Sequence, residues 1–370
     1  MYVAQIKLSL PLVAVLLLAT VAQAQTTQST HASPSQSVVT SLASLPEADT
    51  ILFSSPQRIL NEAAPKVMAA ADVAKMRTDF ADIKKAVGID PASIEYIAIA
   101  VRFHKPSADL SFVPPDLLVV VGGDFSADSL LATAGVYLQD RSHTENYGSK
   151  TLTIMTIDPI AEAAKKNPLL KSFVEVGAVA LNANTLAVGT VGYLKASVDA
   201  AAGNGRISSA ALNSLLRDPN ALVSVAGSPL TAFAKSFGLL GTETTPRESR
   251  CDTRFGDFYA AITMDGTNFN LRGAMNADNP DTAKIINGLL ASVLQPAIDT
   301  IPDKDAQTVL KAIRMLPKEN EVVWEADVPQ ETVAKLIREQ MKPKKEEDAV
   351  SSPVKAVTPK PKRRVRRRTK

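Results

Sequence analysis

The chain has 370 residues, 45% apolar and 21% charged, the balance of a globular protein with a sizeable core. Aromatics make up only 5%, with Trp324 the single tryptophan, which argues against a sugar- or base-stacking surface. The net charge of +3 is unevenly spread: residues 342–370 hold 12 of the 41 basic and 3 of the 38 acidic residues, net +9, which leaves residues 1–341 at −6.

The N-terminus reads "MYVAQIKLSLPLVAVLLLATVAQAQ". One lysine precedes a short apolar run that ends in Ala22-Gln23-Ala24, the pattern of a secretory signal peptide over 1–24. The run contains Pro11 and is short for a bilayer core of roughly 30 Å. Residues 25–43 are rich in Ser, Thr and Gln and read as a disordered spacer. Cys251 is the lone cysteine, so no internal disulfide is expected in spite of export.

The folded part opens with a short strand at Ile51-Leu52-Phe53. Pro56 starts a helix that Pro65 ends or kinks, and a second helical pattern runs to Gly88. "SIEYIAIAVRF" is apolar on both faces and reads as a central strand covered on both sides. "PDLLVVVGG" is a further buried strand. Gly122-Gly123-Asp124 then resembles a catalytic or phosphate turn, but it leads into an Asp or Ser N-cap and a helix. Gly273-Ala274-Met275-Asn276-Ala277-Asp278 repeats the form without the first acid, so backbone punctuation is what the two share.

Other stretches recur in the same order. "ADTILFSSP" parallels "NALVSVAGSP", "IEYIAIAVRF" parallels "GDFYAAITMD", and "KTLTIMTID" parallels "NEVVWEADV". The expected architecture is α+β: two similar units, 44–205 and 206–341, each with a mainly antiparallel sheet packed by helices in the order β-α-β-β-α-β. A hairpin turning at Asn182-Ala183-Asn184, then a helix over 192–202 closed by Gly203 and Gly205, is expected between the repeated elements.

No catalytic constellation, cofactor site or metal site is expected. The three histidines are dispersed, and only His104 and His143 could meet in the fold. No G-x-S-x-G elbow is present, and Asp265-Gly266 reads as a hairpin turn. The tail over 342–370 lacks apolar periodicity and reads as disordered. Lys360, Lys362, Arg363, Arg364, Arg366, Arg367, Arg368 and Lys370 crowd its end, a pattern that binds polyanions without discrimination.

The signal, the repeated unit and phrases such as "TLAVGTVGYLKASVDAA" resemble uncharacterised exported bacterial proteins with a duplicated α+β unit, over roughly residues 45–340. The resemblance implies no activity and carries over no site residue. The functional expectation is a non-enzymatic secreted or envelope-associated protein, periplasmic or extracellular. Its basic tail would bind an anionic surface such as lipid headgroups, wall polymer or nucleic acid. The alternative is a carrier with an apolar ligand held in a pocket between the units; a hydrolase assembled from distant residues ranks third.

Overall fold

The computed structural model describes residues 36–88, 90–104, 113–138, 141–157, 160, 174–228 and 256–341. Among these residues twelve strands join in one sheet, in the order β11-β12-β10-β9-β8-β1-β2-β3-β7-β6-β5-β4, and every neighbouring pair is antiparallel. The strands are β1 (Thr50–Ser54), β2 (Ile94–Arg102), β3 (Asp116–Gly123), β4 (Ser142–Tyr147), β5 (Lys150–Thr156) and β6 (Glu175–Asn182). They continue with β7 (Thr185–Thr190), β8 (Val223–Gly227), β9 (Phe258–Met264), β10 (Asn268–Asn276), β11 (Arg314–Lys318) and β12 (Glu321–Pro329).

The mixed helix-and-strand character is as expected, but the units do not hold separate sheets. β1 pairs with β8, Leu52 opposite Val225, so the ladder crosses the expected boundary without a break. The main core also ignores that boundary, drawing Ile207, Leu215 and Ala226 from beyond residue 205. The β6–β7 hairpin turns where expected, with Asn182 Oδ1 accepting from the Asn184 N–H. It is not a connector between units: it is threaded into the sheet between β3 and β5.

One face of the sheet, here the near face, is sealed over β1–β3 and β5–β7. Helix α1 (Gln36–Leu42) brings Val38 and Leu42 onto it. The Ser/Thr-rich composition of 25–43 masked this helix, and its apolar residues, continued by Leu45, are what remove it from the expected spacer. Tyr96, Ala98, Ala100, Leu118, Val120, Leu152 and Ile154 form the floor, each at most 3% exposed. Two helices from later in the chain complete the roof.

Between β1 and β2 the chain forms α2 (Pro56–Arg58), a wide turn over Ile59–Ala63, and α3 (Ala64–Val67). Pro65 therefore lies inside the helical run instead of ending it. The Ala64 N–H reaches back five residues to the Ile59 carbonyl, and such a widened turn makes room for a proline ring that would strike the preceding turn. The break comes later, where Met68 turns extended, and α4 (Ala70–Val87) then runs to a left-handed Gly88.

α5 (Ala127–Tyr137) comes after β3 and is capped by Ser126, whose Oγ accepts from the Ser129 N–H. The roof of the near face is completed by α6 (Val191–Ala201) and α7 (Ser209–Leu215). The second half carries α8 (Pro280–Asp299), α9 (Lys304–Lys311) and α10 (Gln330–Met341).

The far face has two local cores. Ile59, Leu60 and Ala63 cover Val223, Met264 and Phe269, while α8 seats Ile286 on Met275, Val322 and Trp324. Beyond β8, on β1–β3, Leu52, Ile97, Ile99, Val101, Leu117 and Val119 share this face and are only partly covered. β2 was expected to be sealed on both sides; among the described residues it is sealed on one. No helix among the described residues is long and apolar enough to cross a membrane.

Candidate functional site

Among the described residues, a concavity lies on the near face of the second half, at the closed end of the β11–β12 hairpin. It encloses about 590 Å³ and is lined by Arg217, Tyr259, Asn276, Ala277, Lys318, Glu319, Asn320, Glu321 and Val323, a size within the range of small-molecule sites. Strand alternation sets Tyr259 on β9 and Val323 on β12 toward this face, and Arg217 reaches over from the chain beyond α7. Its guanidinium lies 4.2 Å from the centre of the Tyr259 ring and 3.4 Å from Glu321, a cation held between a ring face and a carboxylate. Burial raises the Tyr259 phenol above its ordinary range, against the opposing pull of Arg217, so it stays protonated at neutral pH and can donate.

The rim is a tight turn. The Ala277 N–H donates to the Asn320 carbonyl at 2.7 Å. Glu319 has φ 52°, the only positive value at a non-glycine position among the described residues, where a Cβ is strained. The lining thus offers charges of both signs, two amides and a phenol. These groups can make hydrogen bonds and charge contacts to a bound molecule.

A second polar cluster ties strand ends together in the first half. Asp116 receives Arg102 at 2.7 Å, His104 Nε2 at 3.0 Å and the Thr190 hydroxyl at 3.1 Å. Arg102 stacks 4.6 Å from the centre of the Tyr193 ring, and the Tyr193 hydroxyl donates to the Glu47 carbonyl. Burial pushes that phenol far above its usual range. His104 does not meet His143. β4 lies five places from β2 in the sheet, or about 24 Å at roughly 4.8 Å per strand.

The carboxylates of Asp303, Asp305 and Glu339 lie within 4.8 Å of one another. Asp303 is engaged as the cap of α9, and Lys335 sits 2.7 Å from Asp305, so the acidic charge is already partly answered. Gly122-Gly123-Asp124 is structural. The Tyr96 ring lies where a Gly122 Cβ would stand, 2.1 Å away, and the Ser93 carbonyl crowds Gly123 in the same way. The Asp124 N–H donates to that carbonyl. Asp265 is a hairpin residue, as expected, accepting from the Thr267 and Asn268 N–H groups.

The seam at which an apolar pocket was expected is the hydrogen-bonded β1–β8 pair. The segment expected to be a signal peptide, Cys251 and the tail lie outside the described residues, including Lys360, Lys362, Arg363, Arg364, Arg366, Arg367, Arg368 and Lys370. Sequence reading missed the cleft because its walls come from four separate segments. The one local signal was the charged "PKENE" turn between apolar stretches.

The chain matches no known family model and no curated protein. Among solved structures it overlaps with TP0453 in crystal forms III, I and IV. The TM-scores are 0.40, 0.38 and 0.37 at 10%, 10% and 11% identity. The overlaps cover 80% of this chain and 97%, 96% and 95% of those chains. Overlaps at this level leave function to be read from this chain alone.

Proposed function

We propose that the protein is a non-enzymatic exported scaffold, periplasmic or extracellular, whose basic C-terminal tail attaches it to an anionic surface. The observation that carries this reading is the charge division, +9 over residues 342–370 against −6 over the rest. A body of that sign is repelled by an anionic surface, while a cationic run gains about 1 kcal/mol per Lys or Arg near one. Attachment is therefore assigned to the tail and presentation to the sheet.

The scaffold is read as a duplicated unit. Outward from the β1–β8 pair, one side runs β2, β3, β7, β6, β5, β4 and the other β9, β10, β12, β11. With the β7–β6 hairpin set aside as an insertion, the strands correspond one to one in chain order. This agrees with the recurring phrases on β1 and β8, β2 and β9, and β5 and β12, and with the matched turns after β3 and β10.

The test is deletion of 342–370, then co-sedimentation with vesicles containing anionic lipid. The full chain is expected to sediment with them and to be released as salt rises, because phosphate-type attachment is screened. The truncated chain should remain in solution. Retention that neither the deletion nor salt changes would overturn the tether.

A further inference from the structure

The two edges of the sheet are built differently. β11 carries Pro317, which has no N–H to offer, between the cations Arg314 and Lys318. Proline and lysine on an edge are the usual means of blocking strand addition. β4, "SHTENY", contains neither, and among the described residues no strand pairs with its outer side.

The phase of β4 can be read from its partner. The Thr156 N–H donates to the Arg141 carbonyl, and β4 pairs Ser142 with Met155 through to Tyr147 with Lys150. Antiparallel ladders alternate, so His143, Glu145 and Tyr147 bond inward to β5. Ser142, Thr144 and Asn146 aim their N–H and C=O groups outward. Thr144 and Asn146 are exposed.

We infer that β4 is a homodimerisation edge, at which a second copy of this chain adds its own β4 antiparallel, centred on Thr144 opposite Thr144. An outward-bonding residue must face another outward-bonding one, which removes every register that is odd by one. Of the rest, centring on Thr144 sets Ser142 against Asn146 and Thr144 against Thr144. It also sets each His143 against the Glu145 of the other copy. A shift by two residues one way would place Glu145 against Glu145, and like charges directly opposite are unfavourable; the other way it would set His143 against His143 and lose the pairing with Glu145. Glu145 is held in place by Lys195 at 2.6 Å, so the carboxylate is positioned before the partner arrives. The self-complementary pattern is what selects a second copy over an unrelated strand. A six-residue strand pair alone is marginal in water, so the dimer is expected to be weak and concentration dependent.

Sedimentation equilibrium of the purified full chain over a concentration series tests this. A monomer–dimer equilibrium is expected. Thr144→Pro, which removes an outward donor, should raise its dissociation constant at least tenfold, while Met315→Pro on the opposite edge should leave it unchanged. Should the proline variants misfold, cross-linking decides. A hydrogen-bonded pair sets its Cα atoms about 5.5 Å apart, within the roughly 4.4–6.8 Å a disulfide spans. Thr144→Cys in a Cys251→Ser background should therefore oxidise to a covalent dimer, and Met315→Cys should not. A chain that stays monomeric at every concentration, or a dimer lost through Met315→Pro and kept through Thr144→Pro, would overturn the proposal. A dimer in which Thr144→Cys fails to link would overturn its register.

Discussion

Leu118 and Leu316 point to the same face of one sheet, yet the first is fully buried and the second 58% exposed. Over β1–β3 and β5–β7 that face is floored by Ala, Val, Leu and Ile and roofed by α1, α6 and α7. Over β10–β12 the same face carries Arg272 against Asp327 at 2.6 Å and Arg314 against Glu325 at 3.0 Å, and ends in the Arg217–Tyr259 cleft. The buried apolar cluster of that half, with Met275, Ile286 and Val322, lies on the opposite face, under α8. A continuous hydrogen-bonded ladder does not impose one environment on its two halves. The side chains set at alternate positions decide which face each half closes, and the half left open is where binding chemistry can be displayed.

The contrast can be broken most strongly at its two leucines. Leu118→Ala removes packed methyls from a sealed core and is expected to cost about 2–5 kcal/mol, whereas Leu316→Ala should stay within about 0.5 kcal/mol. Urea unfolding of the two variants measures both, and equal losses would mean that the open half is covered after all. Gly122→Ala sharpens the account of the closed half. Its Cβ would stand 2.1 Å from the Tyr96 ring, and overpacking of that kind is expected to cost about 1–3 kcal/mol. Gly192→Ala meets nothing within 4 Å and should be neutral or mildly stabilising in α6.

The smallest effect is a pH dependence in the open half. The Thr267 and Asn268 N–H groups hold the Asp265 carboxyl down at about 2. Its folded value is below its unfolded one, so its contribution is complete above about pH 4 and fades as pH falls toward 2. Asp265→Asn should flatten the melting temperature over that interval and leave it unchanged in slope above pH 5. An unaltered acid limb would show that the hairpin does not retain these bonds in solution.

Strands with strict alternation were legible from sequence, as were the Gly88 stop, the Ser126 cap and the Asn182–Asn184 turn, because each depends on neighbours within a few residues. α1 was not, since Val38 and Leu42 were diluted by their Ser/Thr surroundings. Pro65 reads as either ending or kinking the helix because the widened turn that accommodates it has no sequence marker. β11 was hidden by Pro317, a residue that a central strand excludes and an edge strand tolerates. The cleft was not legible because Arg217, Tyr259, Asn276 and Lys318 meet only after the sheet has formed.

Composition and pattern by themselves determined that this chain builds an α+β body with a concentrated positive tail, since charge and side-chain periodicity are properties of the chain itself. Tertiary structure alone decided that the two expected units share one sheet, that a hairpin is threaded into it, and which edge is left unblocked. Those outcomes turn on which strand finds which neighbour, and backbone hydrogen bonds, being the same for every residue, carry no address in the sequence.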